Sequence, residues 1–312
     1  MHPILLNLGP ITFRSYGVLL TLAFIVGTFI VWREGRRQGY NEEKILDLSI
    51  IALATGFIGA RLYYALLNWS NFAADPLKII FVWEGGLAFH GALLGGIIGV
   101  WYYIRRAKWP FLQVADFAAL GVSLGIVIGR VGCLLNGDDY GLTTNLPWGV
   151  YFPGFLGKRH PTQAYEAIWM FLAYLILLQI YRQKFFVQKR GGRSGATFFS
   201  FLVLSGVGRF LIEFYRADTT IINGIRVAHI MSLLVATIGL VGLYWLSNRS
   251  WKQDLNLILS FFEKFNWREK FGLSIKVVTK GLNIITEFVG YLATHAASIP
   301  LLIKRKSWRK HD

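Results

Sequence analysis

The amino-acid sequence predicts an all-α integral membrane protein. It would be a polytopic bundle of about seven transmembrane helices with a small external cap loop region and a cytoplasmic amphipathic tail. Three observations carry this reading. Only 16% of the 312 residues are charged and 54% are hydrophobic, whereas a soluble domain carries roughly 25% charged residues. Several apolar runs approach the ~20 residues that span a bilayer as a helix. The basic side chains collect between those runs, where lipid head groups would meet them.

The first run, 16–32, is followed by Arg33, Arg36 and Arg37 rather than by a small-residue cleavage site, so it reads as a retained span and not a secretion signal. The others run over 46–67, 87–104, 115–135, 164–181, 197–215 and 227–246. None alternates with the period of a barrel strand. In hydrocarbon every backbone N–H and C=O must find a partner inside the segment, which leaves the helix. The loops after the first, third and fifth spans hold twelve Lys and Arg, against six on the opposite side. That asymmetry puts the N-terminus outside and the C-terminus in the cytoplasm.

The loop 136–163 is external on this scheme, and Pro147, Trp148, Pro153 and its glycines make it the cap. Residues 1–248 form the transmembrane domain, and 249–312 mix apolar and basic residues as interfacial helices do. The stretch 284–303 approaches spanning length, but Glu287, His295, Pro300 and the basic terminus it would export argue against an eighth span. The net charge of +16 raises nucleic-acid binding. The placement of the charge between apolar spans favours membrane lipids as the partner, with no nucleic acid. The single cysteine, Cys133, excludes an internal disulfide, and the histidines lack ligand spacing, so neither metal nor other cofactor is expected.

Ionisable residues inside spans are costly and mark partners or cavities. His90 stands near the external start of the third span among glycines, either bonding a neighbouring helix or serving chemistry. Arg130 lies inside the external end of the fourth span, where a phosphate would suit its guanidinium and a carboxylate would equally neutralise it. Glu166 follows Arg159, His160 and Pro161 at the start of the fifth span, where the helix dipole alone favours it. Arg209 and Glu213 share a helix face in the sixth span, as a self-contained pair or as half of a head-group site.

These stretches, taken in order, resemble the prolipoprotein diacylglyceryl transferase family. The resemblance rests on Tyr16-Gly17, Gly59-Ala60-Arg61, His90-Gly91 and Gly129-Arg130-Val131-Gly132 with Asn136-Gly137. It continues through Arg159-His160-Pro161-Thr162-Gln163 with Tyr165-Glu166, and Arg209-Phe210 with Glu213-Phe214. The chain departs from the family's pattern at four positions. Cys133 replaces an asparagine, Asp138 a glutamate, Ser205 a tyrosine and His229 a glutamine.

The resemblance implies transfer of the diacylglyceryl group of phosphatidylglycerol to the lipobox cysteine of a preprolipoprotein, in a bacterial plasma (inner) membrane. On it, His90, Arg130 and Arg209 are the catalytic candidates. Tyr16, Asn136 and Glu213 join the arginines in holding phosphatidylglycerol, and Arg61, Asp138, Arg159, His160 and Glu166 lend support. Three rivals remain open: another lipid head-group transferase, an anion transporter, and a catalytically silent scaffold that Ser205 would explain.

Overall fold

The computed structural model describes residues 2–8, 11–73, 75–188, 194–222 and 225–247. The predicted tail from 249, with its question of an eighth span, lies outside the described residues. The chain opens with an antiparallel hairpin, β1 (Ile4–Leu8) and β2 (Ile11–Arg14). Seven long helices follow: α1 (Ser15–Arg37), α2 (Glu42–Leu67), α4 (Phe89–Ala107), α5 (Phe111–Asn136), α6 (Thr162–Gln188), α7 (Ala196–Glu213) and α8 (Val227–Leu246). A single turn, α3 (Trp69–Phe72), follows α2.

Six of the long helices are long and apolar enough to cross a membrane: α1, α2, α5, α6, α7 and α8. The seventh predicted span is the helix α4, which falls outside that set. His90, four glycines, Tyr102, Tyr103 and the Arg105–Arg106 pair dilute its apolar character. Large apolar side chains cover the outsides of the helices, among them Ile25, Phe29, Ile50, Leu53 and Ile58, all exposed. Water would not tolerate so extensive an apolar surface, and lipid favours it.

Small residues set the helix pairs. Gly59 of α2 lies against the backbones of Gly91 and Gly95, and Gly99 meets Thr55, so α2 and α4 pack backbone to backbone. Gly27 and Gly121 do the same for α1 and α5. On α7, Gly206 lies against Ser232 and Ala236 of α8, while Gly208 receives the indole of Trp169 from α6. Trp169 Nε1 donates to the Leu204 carbonyl at 2.8 Å. Glu166 is three residues before Trp169 on the same face of α6. This contact therefore sets Glu166 beside Arg209, the residue after Gly208.

The core concentrates at the end away from the cap, around Ile30, Leu48, Val114, Phe117, Leu120 and Leu177. There the buried Asp116 of α5 accepts from the backbone N–H groups of Gly195 (2.6 Å) and Phe198 (2.9 Å), capping the positive end of α7.

At the other end, residues 137–161 form the cap expected from the sequence. Two short strands pair in it, β3 (Val150–Tyr151) and β4 (Lys158–Arg159). The bridge Gly141–Arg216 ties the cap to the segment after α7, and the bridge Thr143–Arg159 closes the cap on itself. The first residues join the same end, with the His2 N–H donating to the Leu135 carbonyl at 3.0 Å.

Candidate active site

At the capped end, three guanidiniums converge on one carboxylate. Glu166, at the start of the second turn of α6, meets Arg130 Nε at 2.6 Å, Arg209 Nη1 at 2.6 Å and Arg216 Nη1 at 3.1 Å. Its side chain is 8% exposed. Asp139 makes a second hub in the cap, 2.5 Å from Arg130 Nη1 and 2.8 Å from Arg216 Nη2. Glu213 meets Arg209 Nη2 at 3.1 Å, and Asp218 meets Arg216 Nη2 at 2.7 Å. Three arginines thus face four carboxylates, a formal excess of one negative charge.

Local structure explains the convergence. Arg209, Glu213 and Arg216 follow the i, i+4, i+7 spacing of one helix face, although α7 itself ends at Glu213 and Arg216 lies in the turn beyond. Gly137, at φ 89°, ends α5 in the left-handed conformation and turns the chain back over the site. Asp139 also has positive φ, 60°, and is one of two non-glycine residues so placed among the described residues. The Thr162 hydroxyl, at 2.6 Å, holds its carbonyl, and the Gln163 amide holds that of Asp138. A strained acidic residue is thereby fixed between two arginines.

Burial and the arginines compete for these carboxyls. Burial raises the Asp139 carboxyl, but Arg216 and Arg130 outweigh it and hold the group below its ordinary 3.8. Burial pushes Asp218 above the same value despite Arg216. Arg216 is raised because Asp139 and Glu166 outweigh its own desolvation, so it stays charged. Asp139 and Asp218 share one guanidinium nitrogen, Arg216 Nη2.

The structure gathers Arg130, Arg209, Glu213 and Glu166, and adds Asp139, Arg216 and Asp218, which sequence reasoning missed. The alternative of a self-contained Arg209–Glu213 pair does not describe this arrangement, since Arg209 also reaches Glu166 from another helix. Asn136 and Asp138 border the cluster, with Asn136 Nδ2 donating to the Asp138 carboxylate. Tyr16 is brought alongside by Gly132 of α5, which faces it in the α1–α5 contact. Cys133 is half-buried with a free thiol.

Other candidates stand apart from the cluster. Arg159 donates to the Gly141 carbonyl at 3.1 Å and stacks over Phe155 and Tyr140 in the cap. His160 Nδ1 is 3.1 Å from the Tyr165 hydroxyl, which accepts from Trp148 Nε1 at 2.8 Å. Ser205 donates to the Leu202 carbonyl of its own helix at 3.2 Å. His90 is exposed on the first turn of α4, beside the rings of Tyr63 and Phe89. Among the described residues, no hydrogen bond or ion pair joins it to an arginine of the cluster. Arg61 is wrapped in backbone carbonyls of residues 78–86.

Several buried polar atoms around the cluster have no hydrogen-bond partner among the described residues: both Glu213 carboxyl oxygens, Arg216 Nε and Gln163 Oε1. Unsatisfied groups so concentrated suit a site that a polar ligand completes.

Comparison with known proteins gives a consistent result. A family model described as prolipoprotein diacylglyceryl transferase matches residues 3–245. A Trichormus variabilis protein named phosphatidylglycerol--prolipoprotein diacylglyceryl transferase is 35% identical over 254 residues, 78% of this chain and 89% of that one. Proteins of the same name from Clostridioides difficile and Gloeobacter violaceus are 36% and 34% identical. They align over 80% and 81% of this chain and 97% and 95% of their own.

Proposed function

The chain belongs to the prolipoprotein diacylglyceryl transferase family, and from that premise we propose that it lipidates preprolipoproteins. The reaction takes the diacylglyceryl group from phosphatidylglycerol and attaches it to the thiol of a lipobox cysteine. The observation that best supports the site is the gathering of Arg130, Arg209 and Arg216 on Glu166 at one end of the helix bundle.

In the reaction the thiolate sulfur bonds the glycerol carbon, and the bond from that carbon to the phosphate oxygen breaks. The oxygen keeps the electron pair, so the phosphodiester, with one negative charge, leaves as glycerol phosphate with two. Cations held round the phosphate therefore bind the transition state better than the ground state. Arg130 and Arg209 are proposed for this, with Tyr16, Asn136 and Glu213 orienting the lipid. A free thiol ionises near ~8.5 and needs a base. His90 is proposed to take its proton, with the peptide reaching it along the α2–α4 side. Cys133 is not the acceptor, which comes from the substrate.

The reading places the protein in a bacterial plasma membrane as a multi-pass enzyme, N-terminus outside and C-terminus cytoplasmic, with α4 as a seventh span. Expression in a strain depleted of its own diacylglyceryl transferase should restore growth. Purified protein in phosphatidylglycerol vesicles should add a diacylglyceryl mass to a model lipobox peptide. Counterflow of a labelled anion, with no mass shift, would favour a transporter instead.

A further inference from the structure

We infer that Arg61 is a positioning residue that shapes the segment 78–86 and through it sets His90 at the head of α4; the role in catalysis rests on the transferase reading above. Arg61 stands on α2 and is 5% exposed. All five of its N–H donors reach backbone carbonyls of that segment. Nε donates to Ile79 at 2.8 Å, and Nη2 to Lys78 at 2.8 Å and Phe81 at 3.0 Å. Nη1 donates to Gly86 at 3.0 Å and also to Gly85. The guanidinium carbon lies 5.4 Å from the Phe72 ring centre and 5.9 Å from that of Tyr64.

Among the described residues Arg61 has no carboxylate partner, unlike Arg130, Arg209 and Arg216. A buried cation normally requires an anion or its equivalent. Here the carbonyl dipoles of one loop supply it, and the dependence runs both ways. The segment is two short 3₁₀ turns followed by Gly85 and Gly86 at φ 88° and 82°. Without a sheet or long helix of its own, it leaves carbonyls that need donors, and Arg61 provides all five. The Ala88 N–H donates to the Ala60 carbonyl at 3.1 Å, pinning the far end of the segment beside Arg61. His90 follows two residues later. With no donor left for a phosphate, Arg61 differs in kind from the arginines of the cluster.

Arg61→Lys keeps the charge, lacks the planar fork and offers fewer donors. In the full chain, amide exchange over 78–86 should accelerate at least ~10-fold, with α5–α7 unchanged. The kcat should fall about 10-fold, with KM for phosphatidylglycerol within about twofold. Added to His90→Gln, Arg61→Lys should cost less than about twofold further, because both act on one group. Gly85→Ala, at a left-handed position open to a Cβ, strains the segment without touching Arg61 and should show the same pattern.

Unchanged exchange in Arg61→Lys would overturn the proposal. So would a raised KM with unchanged kcat, which would make Arg61 a head-group ligand, or a full multiplicative loss in the His90→Gln background. A global collapse of Arg61→Lys beside wild-type behaviour of Gly85→Ala would also overturn it. Wild-type activity of His90→Gln rejects His90 as the base. Arg61 is then judged by exchange alone, acceleration supporting its hold on the segment and unchanged rates overturning it.

Discussion

Arg209→Lys separates a phosphate grip from a structural pair. Arg209 spans two acceptors on different helices, Glu166 at 2.6 Å through Nη1 and Glu213 at 3.1 Å through Nη2. One ammonium cannot hold both in that geometry. The lost charge-assisted bond is worth ~1.5–3 kcal/mol when fully buried. Arg209 is 32% exposed, and partial solvation reduces the stability loss to about 1–2 kcal/mol. That hydrogen bond is the one to Glu166, while Glu213, 0% exposed and held by Arg209 as an ion pair only, loses its nearest cation, because Arg216 Nε is 4.0 Å away. Catalysis should suffer more. Removing one preorganised donor at a developing charge costs ~2–4 kcal/mol, roughly a 30- to 900-fold drop in rate. The assays are mass-detected transfer to a lipobox peptide in phosphatidylglycerol vesicles and thermal unfolding in detergent. Activity within about twofold of wild type, beside the expected loss of stability, would refute the phosphate role and leave Arg209 a structural tie.

His90→Gln keeps hydrogen bonding but cannot take a proton at neutral pH, so transfer should fall by at least ~100-fold with normal expression; near-normal turnover would remove the base assignment. Asp139 is held below its ordinary 3.8, so its contribution to stability is present above that value and lost as pH falls through its lower folded value. Asp139→Asn should lower the melting temperature at neutral pH and flatten its fall in acid, and an unaltered acid limb would show that the Arg130 and Arg216 contacts contribute nothing. Asp218 has the opposite sign: its raised carboxyl favours folding below 3.8 and costs stability as pH rises through its folded value. A membrane-impermeant thiol reagent should label cysteines placed at Asn71 or Thr143 from outside the cell, and not one at Glu43; the reverse pattern would invert the topology. Truncation after Asn248 should leave transfer largely intact and weaken binding to anionic vesicles, whereas loss of transfer in a folded truncation would place the tail in the active site.

The helices were legible from the sequence alone because the cost of a bare peptide group in lipid is local: each span must satisfy its own backbone, and its composition records that. All seven predicted runs are helices, and six are apolar enough to span by themselves. The charges that matter could be picked out for a related reason, since an arginine or glutamate in a span needs a compensating partner. Which partner is a long-range question. Arg130 reads equally as a phosphate ligand or as half of a salt bridge until α6 brings Glu166 across. Asp139 is an ordinary loop residue until Gly137 turns the cap over the bundle. Arg216 had a signal in its spacing from Arg209 and Glu213, but the end of α7 concealed it. Arg61, grouped by motif with the other arginines, is instead enclosed by carbonyls from a segment 17–25 residues away. Hydropathy and motif order are properties of neighbouring residues, so the chain determined its spans and its family resemblance by itself. The sharing of one carboxylate among three guanidiniums depends on glycine-mediated contacts between separate helices, and only the tertiary structure decided it.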